Sequence, residues 1–311
     1  MNVLVTGGAG FIGSSLADAF LGQGHAVRIL DDLSTGFAEN LPAEADFVEG
    51  EVSDPAAVAK AVDGVEVVFH LAAHRAVARS VEDPLATDSA NTHGTLTVLK
   101  SALDAGARRV VYASSSSVYG RNPPMPTPET APTRPISPYG VSKLAGEHYC
   151  RVFAELYGLD TMSFRYFNVF GPRQRPDSAY AAVIPLFIEA LRAGRPPTVH
   201  GDGGQRRAFT YIDDVVAANL AALAAPAEAA RGQIYNIAGN ASHSLLDLLD
   251  ALCRILGVEA APTFADPRPG DIRDSRADSS LARAALGFEP KVEFEDGLRR
   301  AVAWFECREQ R

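Results

Sequence analysis

The chain has 311 residues, 47% apolar and 22% charged, enough for a sizeable core and two lobes of an ordinary globular protein. Its net charge of -9 speaks against a general nucleic-acid or membrane-surface binder, though not against a local basic pocket for an anion. Cys150, Cys253 and Cys307 lie far apart, with neither disulfide nor metal spacing, and suit a reducing, cytoplasmic setting. A strand pattern begins at the first residues, so no signal peptide is expected. No apolar run reaches the roughly 20 residues that span a bilayer. The histidines, among them His70, His74 and His93, show no ligand spacing, and no metal is expected.

The first half alternates strand and helix signals. Val3 to Val5 reads as a buried strand, Phe11 to Leu21 as a helix, and Ala26 to Leu30 as a second strand. Val65 to Leu71 and Arg109 to Ala113 read as later strands, with helices over 55–63 and 85–105. Short apolar strands in this alternation predict an α/β fold, a parallel sheet covered by helices on both faces.

Between the first strand and the first helix lies Gly7-Gly8-Ala9-Gly10-Phe11-Ile12-Gly13. Glycines there permit a tight turn and a close approach of backbone to a pyrophosphate, which meets the free N–H groups of the helix N-terminus. The second strand ends at Asp31-Asp32, 18 residues beyond Gly13. A carboxylate at that place accepts hydrogen bonds from a ribose and repels a 2′-phosphate, so the expected cofactor is NAD rather than NADP. The fold implied is a Rossmann-type doubly wound sheet.

Further on, the serine run Ser114–Ser117 precedes Tyr139-Gly140-Val141-Ser142-Lys143. Tyrosine and lysine four apart on a helix share a face. A free tyrosine titrates at about 10, so work as a base near neutrality needs a nearby cation in a water-poor site. Lys143 offers one, and an oxidised nicotinamide a second; the serine hydroxyls can orient a proton on a substrate. A tyrosine–lysine pair alone is a common chance match. It gains weight from the glycine turn and acidic strand end before it.

In that order, Gly7–Gly13, Leu71-Ala72-Ala73, Ser114–Gly120 and Tyr139–Lys143 resemble the extended short-chain dehydrogenase/reductases, specifically the nucleotide-sugar epimerase/dehydratase family, nearly end to end. The resemblance implies a smaller C-terminal α/β lobe for a UDP-sugar. It implies domains at 1–167 and 168–311, with about 205–240 returning to the first. It assigns Tyr139, Lys143 and Ser115 to catalysis. For NAD it implies Gly7, Gly10, Phe11, Ile12, Gly13, Asp31, Asp32, the 71–73 segment, Arg75, Asn91, Tyr139, Lys143 and Tyr166. Glu51 and Val52 would border the adenine, with Glu51 where the family more often has aspartate. Asn91 reads equally well as a buried polar bond.

Dehydratases of this kind carry Thr-Asp-Glu before Val-Tyr-Gly, and related decarboxylases usually a glutamate. Here Ser115-Ser116-Ser117 precede Val118-Tyr119-Gly120, so neither elimination nor decarboxylation is expected, and C4 epimerisation remains. Ser116 is expected on the sugar, while Ser114 and Ser117 read equally as packing or capping residues. The proline-rich 121–135 reads as a loop.

Thr161 to Tyr166 reads as a strand leading into Phe167-Asn168-Val169-Phe170-Gly171-Pro172, where the resemblance puts Asn168 on the substrate diphosphate. Arg175, in Gly171–Asp177, has the planar fork that suits a C6 carboxylate, and the run resembles UDP-glucuronate 4-epimerases. Arg207 and Arg268 are carried over as diphosphate ligands, Asp271 as a ribose ligand, and Ala208 stands where aspartate is usual. Ser275 lines the sugar pocket in relatives and leaves room for a C2 N-acetyl group. Helices are expected around 214–224, 244–256, 279–286 and 296–309. The first-choice substrate is UDP-glucuronate, the next UDP-glucose or UDP-N-acetylglucosamine. A catalytically silent dinucleotide sensor is the rival from another class, opposed by the retained tyrosine–lysine pair. By resemblance the protein is a homodimer through the 85–105 and Tyr139 helices.

Overall fold

A computed structural model describes residues 1–75, 77–174, 182–267 and 273–308. Seven parallel strands form the central sheet: β1 (Asn2–Thr6), β2 (Ala26–Asp31), β3 (Asp46–Glu49), β4 (Val67–His70), β5 (Arg109–Ser115), β6 (Asp160–Tyr166) and β7 (Arg231–Ile237). Their order is β7-β6-β5-β4-β1-β2-β3. The period of two sorts their side chains onto two faces. Val3, Val5, Phe69 and Val111 join one core with Leu16 and Phe20 of α1 (Phe11–Gly22). Leu4, Leu30, Val68 and Val110 join the other, beneath α2 (Pro55–Val62) and further helices of the same face.

The span 85–105, expected as one helix, is broken. Before it lies α3 (Val77–Glu82), then α4 (Pro84–Asp88), a π-helical turn over Ser89–His93, and α5 (Gly94–Asp104). Such turns insert a residue into the helical repeat and re-aim the side chains beyond it. Here the turn carries Asn91 inward, where it is buried. Strand β3 and helix α3 were not expected from the sequence. The 121–135 segment contains no helix; its Thr127 pairs with Ala277.

Helix α6 (Pro138–Tyr157) starts with Pro138 at its first position, and its N-cap Ser137 accepts a hydrogen bond from Gly140 N at 3.1 Å. It ends on Gly158 in the left-handed conformation (φ 72°). After β6 come α7 (Val183–Arg192), also unexpected, α8 (Ile212–Ala224), α9 (Leu245–Leu256), α10 (Ser280–Leu286) and α11 (Phe294–Arg308). Ser244 and Asp247 form a capping box that starts α9. Short strands accompany these helices. Arg206–Arg207 lies between His243–Ser244 and Asp274–Ser275. Val169–Phe170 pairs with Thr210–Tyr211. Ile184, Phe187, Leu248, Leu252 and Phe305 extend the first core into this region. β1 sits between β4 and β2, so the connections from its two neighbours part there and leave a crevice beyond the strand ends.

Candidate active site

That crevice holds a cavity of about 320 Å³ lined by the ends of β1, β2, β4, β5 and β6. The glycine turn forms one wall, with Gly7, Gly10, Phe11, Ile12 and Gly13 all on the lining. Gly7 has φ +71°, and a Cβ there would lie 2.7 Å from Ala72 N. A Cβ on Gly13 would lie 2.1 Å from Gly7 O, so only glycine lets α1 begin this close to the turn. The turn and helix N-terminus make a cradle for a diphosphate. At the end of β2 the buried Asp31 accepts bonds from Ala9 N at 2.9 Å and Leu33 N at 2.8 Å. Burial pushes its carboxyl up, against those two bonds. Asp32 also lines the cavity and accepts from Ser34 N and Ser34 Oγ. These residues fit a dinucleotide with a free 2′-hydroxyl.

Leu71, Ala72, Ala73 and Arg75 line the cavity beyond β4. A buried chain of hydroxyls and an imidazole holds this segment. Thr6 Oγ1 accepts from Leu71 N and Ala72 N, so its own proton faces His70 Nδ1 at 2.7 Å. His70 Nε2 then donates to Thr95 Oγ1 at 3.0 Å, which donates to Asn91 O. Burial, then the Lys143 ammonium, hold His70 down at about 3, so it stays neutral. Asn91 accepts from His74 N at 2.7 Å and donates to His74 O and to Ser142 Oγ at 3.0 Å. Its amide is spent on the protein, the buried-bond alternative; Ala90, beside it, lines the cavity instead. Val52 lines the cavity, whereas Glu51 is exposed, bonds Ser53 and is absent from the lining.

Ser114, Ser115, Tyr139 and Lys143 form the floor. Ser115 lies on this floor beside Tyr139, its Oγ donating to Ser117 Oγ at 3.1 Å and accepting from Ser117 N at 3.2 Å. Lys143 is buried, donates from Nζ to Ala113 O at 2.8 Å, and has its ammonium 5.9 Å from the centre of the Tyr139 ring. Burial lowers Lys143 to about 7. In the cofactor-free protein burial raises Tyr139 above its ordinary value, opposed by Ser115 and the Arg75 guanidinium. A lysine titrating at about 7 carries only part of its charge at neutral pH, and its ammonium is aimed at a backbone carbonyl.

Ser116, expected on the sugar, is off the cavity lining, and Ser114 proves to be bonded to Glu147. Tyr166 and Asn168 line the opposite side. Tyr166 shares its hydroxyl with the Asn219 amide. Asn168 has φ 38° and donates to Ala208 O and Ser275 Oγ, both at 3.3 Å. Arg207 pairs in register with Ser275 and bonds the Arg206 and Arg273 carbonyls. Arg175, Arg268 and Asp271 lie outside the described residues.

Two features escaped the sequence reading. Gln174 is buried on the cavity wall; its amide donates to Val169 O, and its Oε1 finds no partner among the described residues. Glu147 and Arg165 form a buried ion pair behind the floor. The signal for the second was the four-residue step Tyr139, Lys143, Glu147; Gln174 had none, since its place depends on the chain crossing the sheet edge. Among the described residues no group of three metal-ligating side chains occurs, and no helix is long and apolar enough to cross a membrane.

The profile of the NAD dependent epimerase/dehydratase family matches residues 3–238, and the chain belongs to that family. It is an NAD-dependent enzyme. A UDP-glucose 4-epimerase of Mycolicibacterium smegmatis is 41% identical over 100% of both chains. The crystal structure of UDP-glucose 4-epimerase with UDP-glucose from Thermotoga maritima superposes with a TM-score of 0.95 at 38% identity, covering 99% of this chain and 100% of that one. UDP-glucuronic acid 4-epimerase from Bacillus cereus, solved with UDP-glucuronic acid and NAD, gives 0.92 at 32% identity over 99% and 100%.

Proposed function

We propose that this enzyme inverts C4 of a UDP-hexose, with a neutral hexose as first substrate. The observation that carries the reading is the floor itself: Ser115, Tyr139 and Lys143 meet beside a cradle for NAD, and no carboxylate stands at 115–117. Bound NAD supplies the acceptor, and later the donor, of the C4 hydride, together with a positive charge. Tyr139 takes the C4 hydroxyl proton. Ser115 orients that hydroxyl, and Lys143, held by Ala113 O with its ammonium 5.9 Å from the Tyr139 ring centre, tunes the tyrosine. On the second face Tyr139 returns the proton to the 4-keto sugar. Elimination of water would need an acid and a base at Ser116 and Ser117. Glu147, the carboxylate behind this strand, is held by Arg165 and Ser114.

Asn168 and Arg207, with Arg268, are the proposed hold on the nucleotide diphosphate, with Asp271 on the nucleotide ribose, and residues 168–311 carry the sugar apart from about 205–240, whose β7 completes the sheet. The similarity to UDP-glucose 4-epimerases supports a neutral hexose. Arg175 favours the second reading, UDP-glucuronate, by offering a fork to a carboxylate. The free cysteines support a reducing, cytoplasmic setting. Val77, Val81, Leu85 and Val141 leave an exposed apolar patch on α3, α4 and α6, which supports a homodimer through these helices.

The test is a product assay without added cofactor on UDP-glucose, UDP-glucuronate and UDP-N-acetylglucosamine separately. Conversion of UDP-glucose to its C4 epimer is expected. Conversion of the glucuronate alone would move the assignment to the second reading, and release of carbon dioxide or loss of water would overturn both.

A further inference from the structure

The floor of the site is tied to α6 by two hydrogen bonds from neighbouring residues of β5. Ala113 O accepts from Lys143 Nζ at 2.8 Å. Ser114 Oγ donates to Glu147 Oε1 at 2.5 Å. Lys143 and Glu147 stand four apart on one face of α6, so the strand end 113–114 is held against that face. Ser115, the next residue, lies with Tyr139 on the cavity floor. Lys143 is a reaction residue; Glu147 is not, yet its contact is the more heavily built.

Arg165 Nε reaches Glu147 Oε1 at 2.8 Å and Arg165 Nη2 reaches Oε2 at 2.7 Å, a two-pronged pair with both residues buried. The β5–β6 register puts Arg165 directly opposite Ser114. Arg165 Nη1 donates to Glu129 O at 3.0 Å, and its guanidinium lies 4.6 Å from the centre of the Tyr119 ring. Tyr119 Oη and the Glu129 carboxylate both bond Asn236. Stability alone does not call for such a pair, because apolar residues of the same volume serve a core at least as well. What a fixed carboxylate adds is direction: it holds one hydroxyl of the strand end at one place along the helix.

We propose that Glu147, locked by Arg165, is a positioning residue that sets the strand end 113–115 against α6 through Ser114, and so fixes where Ser115 stands beside Tyr139. The inference rests on Tyr139 being the proton carrier of the proposed reaction.

Ser114→Ala removes the bond to Glu147 and leaves the ion pair intact. The readout is the ionisation of Tyr139 in the NAD-loaded protein, followed by tyrosinate absorbance with Tyr139→Phe as blank. In Ser114→Ala the midpoint is expected to rise by about one unit, with kcat about tenfold lower and KM within about twofold. Ser114→Thr, which keeps the hydroxyl, is expected to restore both. The double variant Glu147→Leu/Arg165→Met is expected to fold and to show the same shift; if it does not fold, Ser114→Ala decides. A Ser114→Ala protein with wild-type titration and kcat, whatever its melting temperature, would overturn the proposal. Absence of turnover by the wild type on every UDP-sugar would remove the epimerase reading, while the phenol titration would still decide the role of Glu147.

Discussion

Tyr139 is pulled two ways: burial favours the neutral phenol, and Ser115 with the Arg75 charge favours the anion. A positive charge arriving with the cofactor would add to the second pull. Tyr139→Phe is expected to lower kcat by about 10²–10⁴-fold, the usual worth of a placed acid–base group, with KM little changed in initial-rate measurements. Asp31 acts at the other end of the cavity. Its two oxygens each accept one backbone N–H, so Asp31→Asn turns one acceptor into a donor facing a donor. Loss of about 1.5–3 kcal/mol is expected, or about 10–100-fold in NAD affinity, with NADP no longer excluded. Fluorescence titration with both dinucleotides measures it; unchanged NAD affinity and undiminished discrimination against NADP would refute the role.

Among the elements, the broken helix 84–104 shows what sequence could and could not reveal. The glycine turn, Asp31, Ser115, Tyr139 and Lys143 are legible because each belongs to a short local pattern whose spacing has a chemical reason. The π-helical turn is not, because nothing local announces that Asn91 must reach His74 and Ser142, 17 and 51 residues away. Strand β3 escaped because only Val48 of its four residues is buried, too little for a visible alternation. Helix α7 escaped because Ala182 offers no side-chain cap and Pro185 interrupts its pattern, although a proline in the first turn is tolerated. The Glu147–Arg165 pair joins α6 to β6, so only its helical half, four residues beyond Lys143, shows in the sequence. Asn91→Ala is expected to leave the partly buried His74 N and O without their partner, cost about 1–3 kcal/mol in denaturant unfolding, and weaken NAD retention by loosening the 71–75 wall. Retained stability would show that the turn holds itself.

Over the whole molecule, the patch on α3, α4 and α6 makes its own forecast: Leu85→Asp should turn a dimer into a monomer in sedimentation, and a wild-type monomer would end the dimer reading. Leu85 is 82% exposed, so the change costs the isolated chain little. The pH dependence of folding is sharper still, because it arises from two buried bases. Lys143 falls from 10.5 to about 7 and His70 from 6.5 to about 3 on folding. In each window the unfolded chain holds a proton that the folded one lacks, so stability rises with pH there. Other buried groups act with the opposite sign. Asp31, Glu129 and Asp214 are raised by burial, so they lose stability as pH rises through the acid range. Cys150, pushed from 9.0 up to about 12, does the same at the alkaline end. The clean interval is therefore about pH 7 to 9. Over those two units Lys143 alone should add about 2–3 kcal/mol in the NAD-free protein, since each unit of proton uptake difference is worth about 1.4 kcal/mol. Lys143→Met removes the titration while keeping the chain length, so its unfolding free energy should be flat where the wild type climbs. Parallel curves for the two proteins would mean that the lysine keeps its charge in the folded state, stabilised through Ala113 O more strongly than burial opposes it.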